Sequence, residues 1–430
     1  MFKFDFQLEE EDEDVQIPSL PTPTAGPSTT RTAASIDPTQ EKRSLTDAER
    51  CHDVSLDELL KSLPVEISYS PLYHSSLETP LLRRDLFDAR FQLYNRAEST
   101  AHPDAAANSD PDPTGNRQTE QAGNAAEGDE YVDAQTDLIP GLYEGGLKSW
   151  EGGVDLVEVL NGVGVEGGVG EWVRGGRVLE VGCGTSLPTA YLLRSLLSIP
   201  PATTIATSTV KTTFHLQDYN SLVLSLVSLP NLILAALPFL PTEVLHAPDE
   251  EEDVEAVLPD LEQPGNIHIT PALIEAFKAL LQEKNVELVF TYGHWAGLAA
   301  ELQDRNPKDS QRGAGYGLIL TAETIYAEES HQSLLDVLRA GLKKGTKGIE
   351  HVDVGLEESL GDLKVGDEWK RRPLRDGGDG FVLVAAKVLY FGVGGGLQGF
   401  LERVKASGGW YKNVKEWVKG VGRKVVQVGW

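Results

Sequence analysis

The sequence predicts an α/β fold over residues 137–430, a parallel sheet with helices on both faces. Two observations carry that prediction. From Leu138 onward, short apolar runs alternate with helix-length amphipathic segments, the pattern of strands that need a crossover between them. One such run, "RVLEVG", breaks at Gly182-Cys183-Gly184 and opens at once into an amphipathic stretch, which reads as a buried strand, a tight turn and a helix.

The elements follow in order. Residues 1–136 have the composition of a disordered region, with the run "EEEDED" and long Pro-, Ala- and Thr-rich tracts, too poor in apolar surface to offset the entropy of ordering. Two islands inside it, "SLDELLKSLP" (Ser55–Pro64) and "RRDLFDARFQLY" (Arg83–Tyr94), read as helices either docked or transient, with transient ones expected. "MFKFDF" sets Phe2, Phe4 and Phe6 on one face of an extended strand, either a frayed terminus or a docked edge. A helix capped by Ser149 is expected over Ser149–Leu160. The strand of "RVLEVG" then leads to a helix over Ser186–Leu197. The strand Thr213–Asp218 is followed by the helix "YNSLVLSLVSL". An acidic, proline-bearing stretch near 238–270 reads as a surface insertion. The next strands are Val286–Gly293 and Tyr316–Tyr326, and "SHQSLLDVLRAGLKKG" is a helix with basic residues at its C-terminal end, as the macrodipole favours. After a second insertion near 345–378, "GFVLVAAKVLYFG" is a strand. The final "KVVQVGW" alternates like an edge strand.

Composition bounds the function. A net charge of −28 argues against general nucleic-acid binding, because phosphates would be repelled. The only cysteines, Cys51 and Cys183, make no disulfide framework, which suits a reducing compartment. No segment approaches roughly 18 consecutive apolar residues, so no membrane span is expected. A soluble chain of the cytoplasm or nucleus is the expectation. No spacing suggests a metal site.

The glycine turn narrows the ligand. A dinucleotide turn has the form G-x-G-x-x-G, and Leu187 stands where the third glycine belongs. A nucleoside-triphosphate loop, G-x-x-x-x-G-K-[ST], is absent from the turn. There remains an acid, Glu180, two places before a G-x-G turn, at the carboxyl end of a strand. That pattern suits S-adenosylmethionine, whose ammonium, sulfonium and ribose want a carboxylate and a backbone that no Cβ obstructs. Asp218, closing the second strand, can bind both ribose hydroxyls or cap the helix after it. Cys183 reads as a small turn residue, and His215 as a core or edge histidine.

The stretches "DLIPGLYEGGLKSWEGGVDL" (Asp137–Leu156), "LEVGCGTSLP", "QDYNSLVL", "LILTAETIY" and "YFGVGGG" (Tyr390–Gly396) together resemble the protein-histidine methyltransferases. The resemblance spans nearly all of residues 137–430 apart from the insertions. It implies a Rossmann-like, seven-strand fold, S-adenosylmethionine as cofactor, and methylation of a histidine ring nitrogen in a large-subunit ribosomal protein. It puts Trp150 beside the cofactor and Glu180, Gly182, Cys183 and Gly184 under its methionine part. Asp218, Tyr219 and Asn220 fall at ribose and adenine, and Trp295 lines the adenine pocket. Thr321, Ala322, Glu323 and Tyr326 fall at the mouth of the transfer channel. Glu323 is the candidate to select the acceptor tautomer or anchor the substrate backbone, and Tyr326 to wall the channel. Two residues depart from the family pattern: Glu180 replaces an aspartate, and His294 replaces an acid before the pocket tryptophan. "GVGGG" is either a flexible rim or an ordinary connection. The tail residues Arg403, Lys405, Lys412, Lys415, Lys419, Arg423 and Lys424 form either a contact for RNA or a pre-ribosome, or a solvated face. The default oligomeric state is a monomer. Two other functions stay open: a lysine methyltransferase of the related group, and a non-catalytic cofactor-binding assembly factor.

Overall fold

A computed structural model describes residues 45–101, 138–139, 143–201, 210–245, 259–304, 315–343, 368–376, 378–390 and 395–430. Its strands are β1 (Cys51–Val54), β2 (Glu66–Leu72), β3 (Leu81–Arg84), β4 (Leu138–Ile139), β5 (Tyr143–Glu144), β6 (Arg177–Val181) and β7 (Thr212–Asp218). They continue with β8 (Gly265–His268), β9 (Val286–Gly293), β10 (Leu318–Ala322), β11 (Phe381–Lys387), β12 (Trp410–Trp417) and β13 (Arg423–Gly429).

An eight-stranded sheet runs in the order β1-β9-β7-β6-β10-β11-β13-β12. Strands β9, β7, β6, β10 and β11 are parallel, and β13 lies antiparallel between β11 and β12. Side chains alternate between two apolar layers, as the two-residue period of a strand requires. Val178, Leu318, Leu320, Leu383 and Ala385 face helices Glu151–Asn161, Leu187–Leu197 and the long helix starting at Ser221. Leu179, Val181, Ile319, Val382 and Val384 face helices Trp295–Asp304, His331–Gly341 and Leu397–Ala406. From β6 the chain moves to β7 on one side and later to β10 on the other. In an open α/β sheet, ligands bind where the order reverses in this way, outside the carboxyl ends of the strands.

Several expectations need correction. The "KVVQVGW" run is not an edge strand: Val425, Val426 and Val428 are fully buried in β13, because its alternation fills both apolar layers, and β12 is the edge. The first-turn helix cap is Trp150 rather than Ser149, with no side-chain bond at the cap. Neither island near the N-terminus is a transient helix. Ser55 caps helix Leu56–Lys61 in a reciprocal box with Glu58, and Leu59 and Leu60 are buried. Helix Leu86–Ala101 buries Ala89 and Leu93. Strand β1 pairs with β9 as the eighth strand. Strand β2 sits between β3 and β8, and β8 comes from the stretch read as a surface insertion. Ile67 pairs there with Ile267: each short apolar run finds its partner far along the chain. The "MFKFDF" reading lies outside the described residues.

Helix Ser221–Phe239 is long and apolar enough to cross a membrane, yet Leu226, Leu229, Leu232 and Ile233 along it are buried in the core. It contains a π-helical segment, Leu224–Ser228, of the kind that often marks a functional site. Arg84 holds this segment from the N-terminal side. Its Nη1 donates to the Leu226 carbonyl at 2.7 Å and its Nε to Asp88 at 2.7 Å, while its backbone N–H donates to Asn231 Oδ1 at 2.7 Å. The guanidinium is buried. Arg84→Met should therefore lower unfolding free energy by about 2–4 kcal/mol, because Asp88 and a buried carbonyl lose their partner. A fall in the urea midpoint is the expected reading, and an unchanged midpoint would show that the N-terminal segment is not anchored here.

Candidate functional site

The crevice is built first by the turn after β6. Gly182 and Gly184 adopt left-handed φ of 61° and 49°. A Cβ on Gly182 would stand 2.5 Å from Thr324 Cγ2, so neither the conformation nor the space admits a side chain. Glu180 is buried, and one of its oxygens accepts from the Thr189 N–H at 3.1 Å and from the Thr189 hydroxyl. Burial pushes its carboxyl up to about 8, against the pull of the Thr189 bonds. The acid expected beneath the methionine part thus ties the turn to the helix that follows. Cys183 also has a structural place. Its thiol lies 3.5 Å from Ser228 Oγ, and burial pushes its pKa well up, so it is no nucleophile.

Strand β7 delivers the second acid. Asp218 is half-buried, and its Oδ2 accepts from Gly184 N–H at 2.9 Å while its Oδ1 accepts from Asn220 N–H at 3.3 Å. Asn220, not Asp218, caps the next helix, accepting from Leu222 N–H at 2.9 Å. The carboxylate is therefore held at the lip of the turn. Tyr219 meets Trp295 edge to face, with ring centroids 4.8 Å apart, and His294 likewise at 5.4 Å. His294 replaces the family acid with a ring whose pKa burial lowers. Its Nδ1 accepts from Ala296 N–H at 3.0 Å, opening helix Trp295–Asp304. Gln217, which sequence reasoning missed, accepts from Trp295 Nε1–H at 2.9 Å.

Strand β10 supplies the third acid. Thr321 is buried and donates to the Val181 carbonyl at 2.9 Å, so it fastens β10 to β6, and Ala322 is half-buried beside it. Glu323 has a left-handed φ of 57°, a conformation costly for any residue but glycine and common at functional positions. Only 9% of it is exposed. Its Oε2 accepts from the Tyr390 hydroxyl at 2.6 Å. Its Oε1 is buried with no hydrogen-bond partner among the described residues, close to Gly152 at the start of helix Glu151–Asn161. Burial raises its pKa, while Tyr390 and Lys387 pull it down. Tyr390 belongs to "YFGVGGG", the signal that could have marked it. Trp150 stands by the same group: Lys148 Nζ lies 4.4 Å and Lys387 Nζ 4.9 Å from its ring. Tyr326 is half-buried, and its carbonyl accepts from Gly395 N–H at 3.0 Å.

The crevice thus gathers residues from the turn and the ends of β7, β9 and β10. A backbone cradle closed to side chains, a carboxylate at its lip and an aromatic wall fit S-adenosylmethionine: its cationic methionine part, its ribose diol and its adenine. No group of three or more metal-ligating side chains occurs among the described residues. Four of the basic tail residues are ion-paired, Arg403 to Glu328, Lys415 to Glu158, Arg423 to Asp155 and Lys424 to Glu416.

No family model matches the chain. It is 26% identical over 377 residues to Histidine protein methyltransferase 1 of Schizosaccharomyces pombe, covering 86% of this chain and 83% of that one. It is 29% identical over 343 residues to the protein of the same name in Saccharomyces cerevisiae, covering 79% and 71%. A Bos taurus homolog is 28% identical over 272 residues, covering 63% and 51%. Among solved structures, an O-methyltransferase family protein from Burkholderia thailandensis has a TM-score of 0.27 at 10% identity, covering 64% of this chain and 55% of that one. Along most of its length the chain is thus similar to relatives from two species that share one name, both histidine protein methyltransferases.

Proposed function

We propose that this protein methylates a ring nitrogen of a histidine in a large-subunit ribosomal protein. The observation that carries the histidine reading is Glu323 Oε1, a buried acceptor with no partner among the described residues, at the carboxyl end of the strand beside the cofactor turn. A net charge of −28 also favours a basic protein as substrate, since opposite charge steers encounter. Such a substrate places the enzyme in the cytoplasm or the nucleus.

S-adenosylmethionine supplies the methyl group on a sulfonium. The chain's own residues do the rest. Asp218, the glycine turn and Trp295 hold the cofactor. A neutral imidazole, with a reference pKa of about 6.5, already has one nitrogen lone pair, so no strong base is needed to make the nucleophile. Glu323 Oε1 receives the N–H of the opposite ring nitrogen. This fixes the tautomer, stabilises the ring as it becomes cationic, and offers a place for the released proton. The Tyr390 hydroxyl occupies the other oxygen of Glu323 and so orients the first. Placement accounts for much of the rate, as an in-line displacement requires.

Amino-acid analysis after incubation with labelled S-adenosylmethionine and ribosomal protein from cells lacking the enzyme tests the proposal. Label in methylhistidine of one large-subunit protein is expected, and label in methyllysine would replace the reading. Glu323→Gln should cut kcat by about 10²–10⁴-fold while cofactor affinity holds, as read by single-turnover kinetics and calorimetry. The working form of Glu323 is the carboxylate, and its pKa is raised by burial. Activity should therefore fall on acidification as this group and the acceptor both take protons. Tyr390→Phe removes a bond that favours the carboxylate, so the acid limb of its kcat–pH profile should move to higher pH. A limb that stays in place would remove Tyr390 from the assignment. Asp218→Ala should weaken S-adenosylmethionine binding by about 100-fold or more, since charge-assisted bonds are lost. Calorimetry showing wild-type affinity would exclude Asp218 from the cofactor site.

A further inference from the structure

We propose that Gln217 is a positioning residue that locks the adenine wall to the glycine turn and thereby sets cofactor affinity without taking part in methyl transfer. This rests on S-adenosylmethionine occupying the crevice and deepens that reading. Gln217 is the next-to-last residue of β7 and is completely buried, with 0% exposed. Its Oε1 accepts from Trp295 Nε1–H at 2.9 Å and from Gly182 N–H at 3.4 Å. Its Nε2 donates to the Gly293 carbonyl at 2.9 Å and to the Asp218 carbonyl at 2.9 Å. One side-chain amide therefore joins the chain just beyond β6, the end of β7 and the corner after β9.

The chemistry of the partners determines the amide orientation. Trp295 Nε1 and Gly182 N are donors only, and the two carbonyls are acceptors only, so oxygen and nitrogen cannot be exchanged. No other side chain of this length offers an acceptor and two donors together. Glutamate would turn a carboxylate oxygen toward two buried carbonyls. Leucine would leave an indole N–H and two carbonyls bare, each a desolvation cost. The backbone carbonyl of Gln217 adds a further tie, accepting from Cys183 N–H at 2.9 Å. The joined groups are close neighbours: a Cβ on Gly182 would lie 3.6 Å from Trp295 Cζ2. The amide of Gln217 bonds to the turn, to the end of β7 and to the corner after β9, and among the described bonds it makes none to Glu323 or Tyr390 on the acceptor side.

The test compares wild type with Gln217→Leu and Gln217→Glu. Calorimetry gives the Kd for S-adenosylmethionine, and steady-state assays with the ribosomal protein substrate give KM for each substrate and kcat at saturating cofactor. Gln217→Leu is expected to raise the cofactor Kd and KM together by about 10–100-fold, Gln217→Glu by more, with kcat and the acceptor KM nearly unchanged. A cofactor Kd equal to wild type, or a fall in kcat at unchanged Kd, overturns the proposal. Should Gln217→Leu lose its cooperative melt, Gln217→Met and Trp295→Phe carry the same comparison, since Trp295→Phe deletes the indole donor alone. Adding Gln217→Met to Trp295→Phe should then cost less affinity than Gln217→Met costs by itself, and strict additivity overturns the coupling. A wild-type chain that binds no S-adenosylmethionine overturns the underlying reading and this inference with it. Wild-type binding with unaffected Gln217 variants overturns this inference alone.

Discussion

Parallel pairing of β6 with β7 on one side and β10 on the other fixes where the ends of the strands meet, and the chemistry follows from that meeting. With both faces of β6 buried, its register is set by the apolar layers, and a one-residue slip would exchange Leu179 with Glu180. The same register delivers the glycine turn, Asp218 and Glu323 to one end of the sheet. Thr321 strengthens the arrangement by bonding across to the Val181 carbonyl. The site is therefore a consequence of sheet packing, and loops contribute to it only where the strands have already converged.

Two buried carboxyls on adjacent strands show how burial separates roles. Glu180 and Glu323 both have pKa values raised by loss of water. One oxygen of Glu180 accepts from Thr189 in the first turn of the following helix and so helps to hold the turn. Glu323 has one oxygen on Tyr390 and the other without a partner, in a backbone conformation that costs about 1–3 kcal/mol. An acceptor left bare inside a protein is expensive, and a bound N–H relieves that expense. The open oxygen, more than the acid's place in a motif, is what supports the role proposed for Glu323.

What the sequence made legible was local. The turn Gly182–Gly184 follows its strand directly and Asp218 ends its own strand, so local pattern pointed to both, whereas Trp295, which opens its own helix, was expected at the site only through the family resemblance. Contacts made across the fold were hidden. Gln217 bonds to Trp295 and Gly293, Tyr390 to Glu323, and Ile67 pairs with Ile267; none of these has a periodic signature. Averaging composition over residues 1–136 also masked the apolar runs of β1, β2 and β3. "KVVQVGW" was misplaced as an edge for a related reason: alternation of apolar and polar residues cannot reveal that Gln427 is itself buried.

The N-terminal segment bears on the cofactor end through a continuous set of hydrogen bonds. Arg84 holds the Leu226 carbonyl within the π-helical segment and, through its backbone, Asn231. Asn231 Nδ2 donates to the Thr185 carbonyl at 2.7 Å, and Ser228 Oγ to the Gly184 carbonyl at 2.7 Å. Two carbonyls of the glycine turn are thus fixed by one helix, and that helix is fixed by a strand from the segment expected to be disordered. A π-helical segment rotates the residues beyond it relative to a regular helix, so the aim of Ser228 and Asn231 depends on that segment staying in place. The buried guanidinium of Arg84 keeps it there. Order at residues 81–93 is in this sense part of how the turn keeps its shape, although none of these residues touches the crevice.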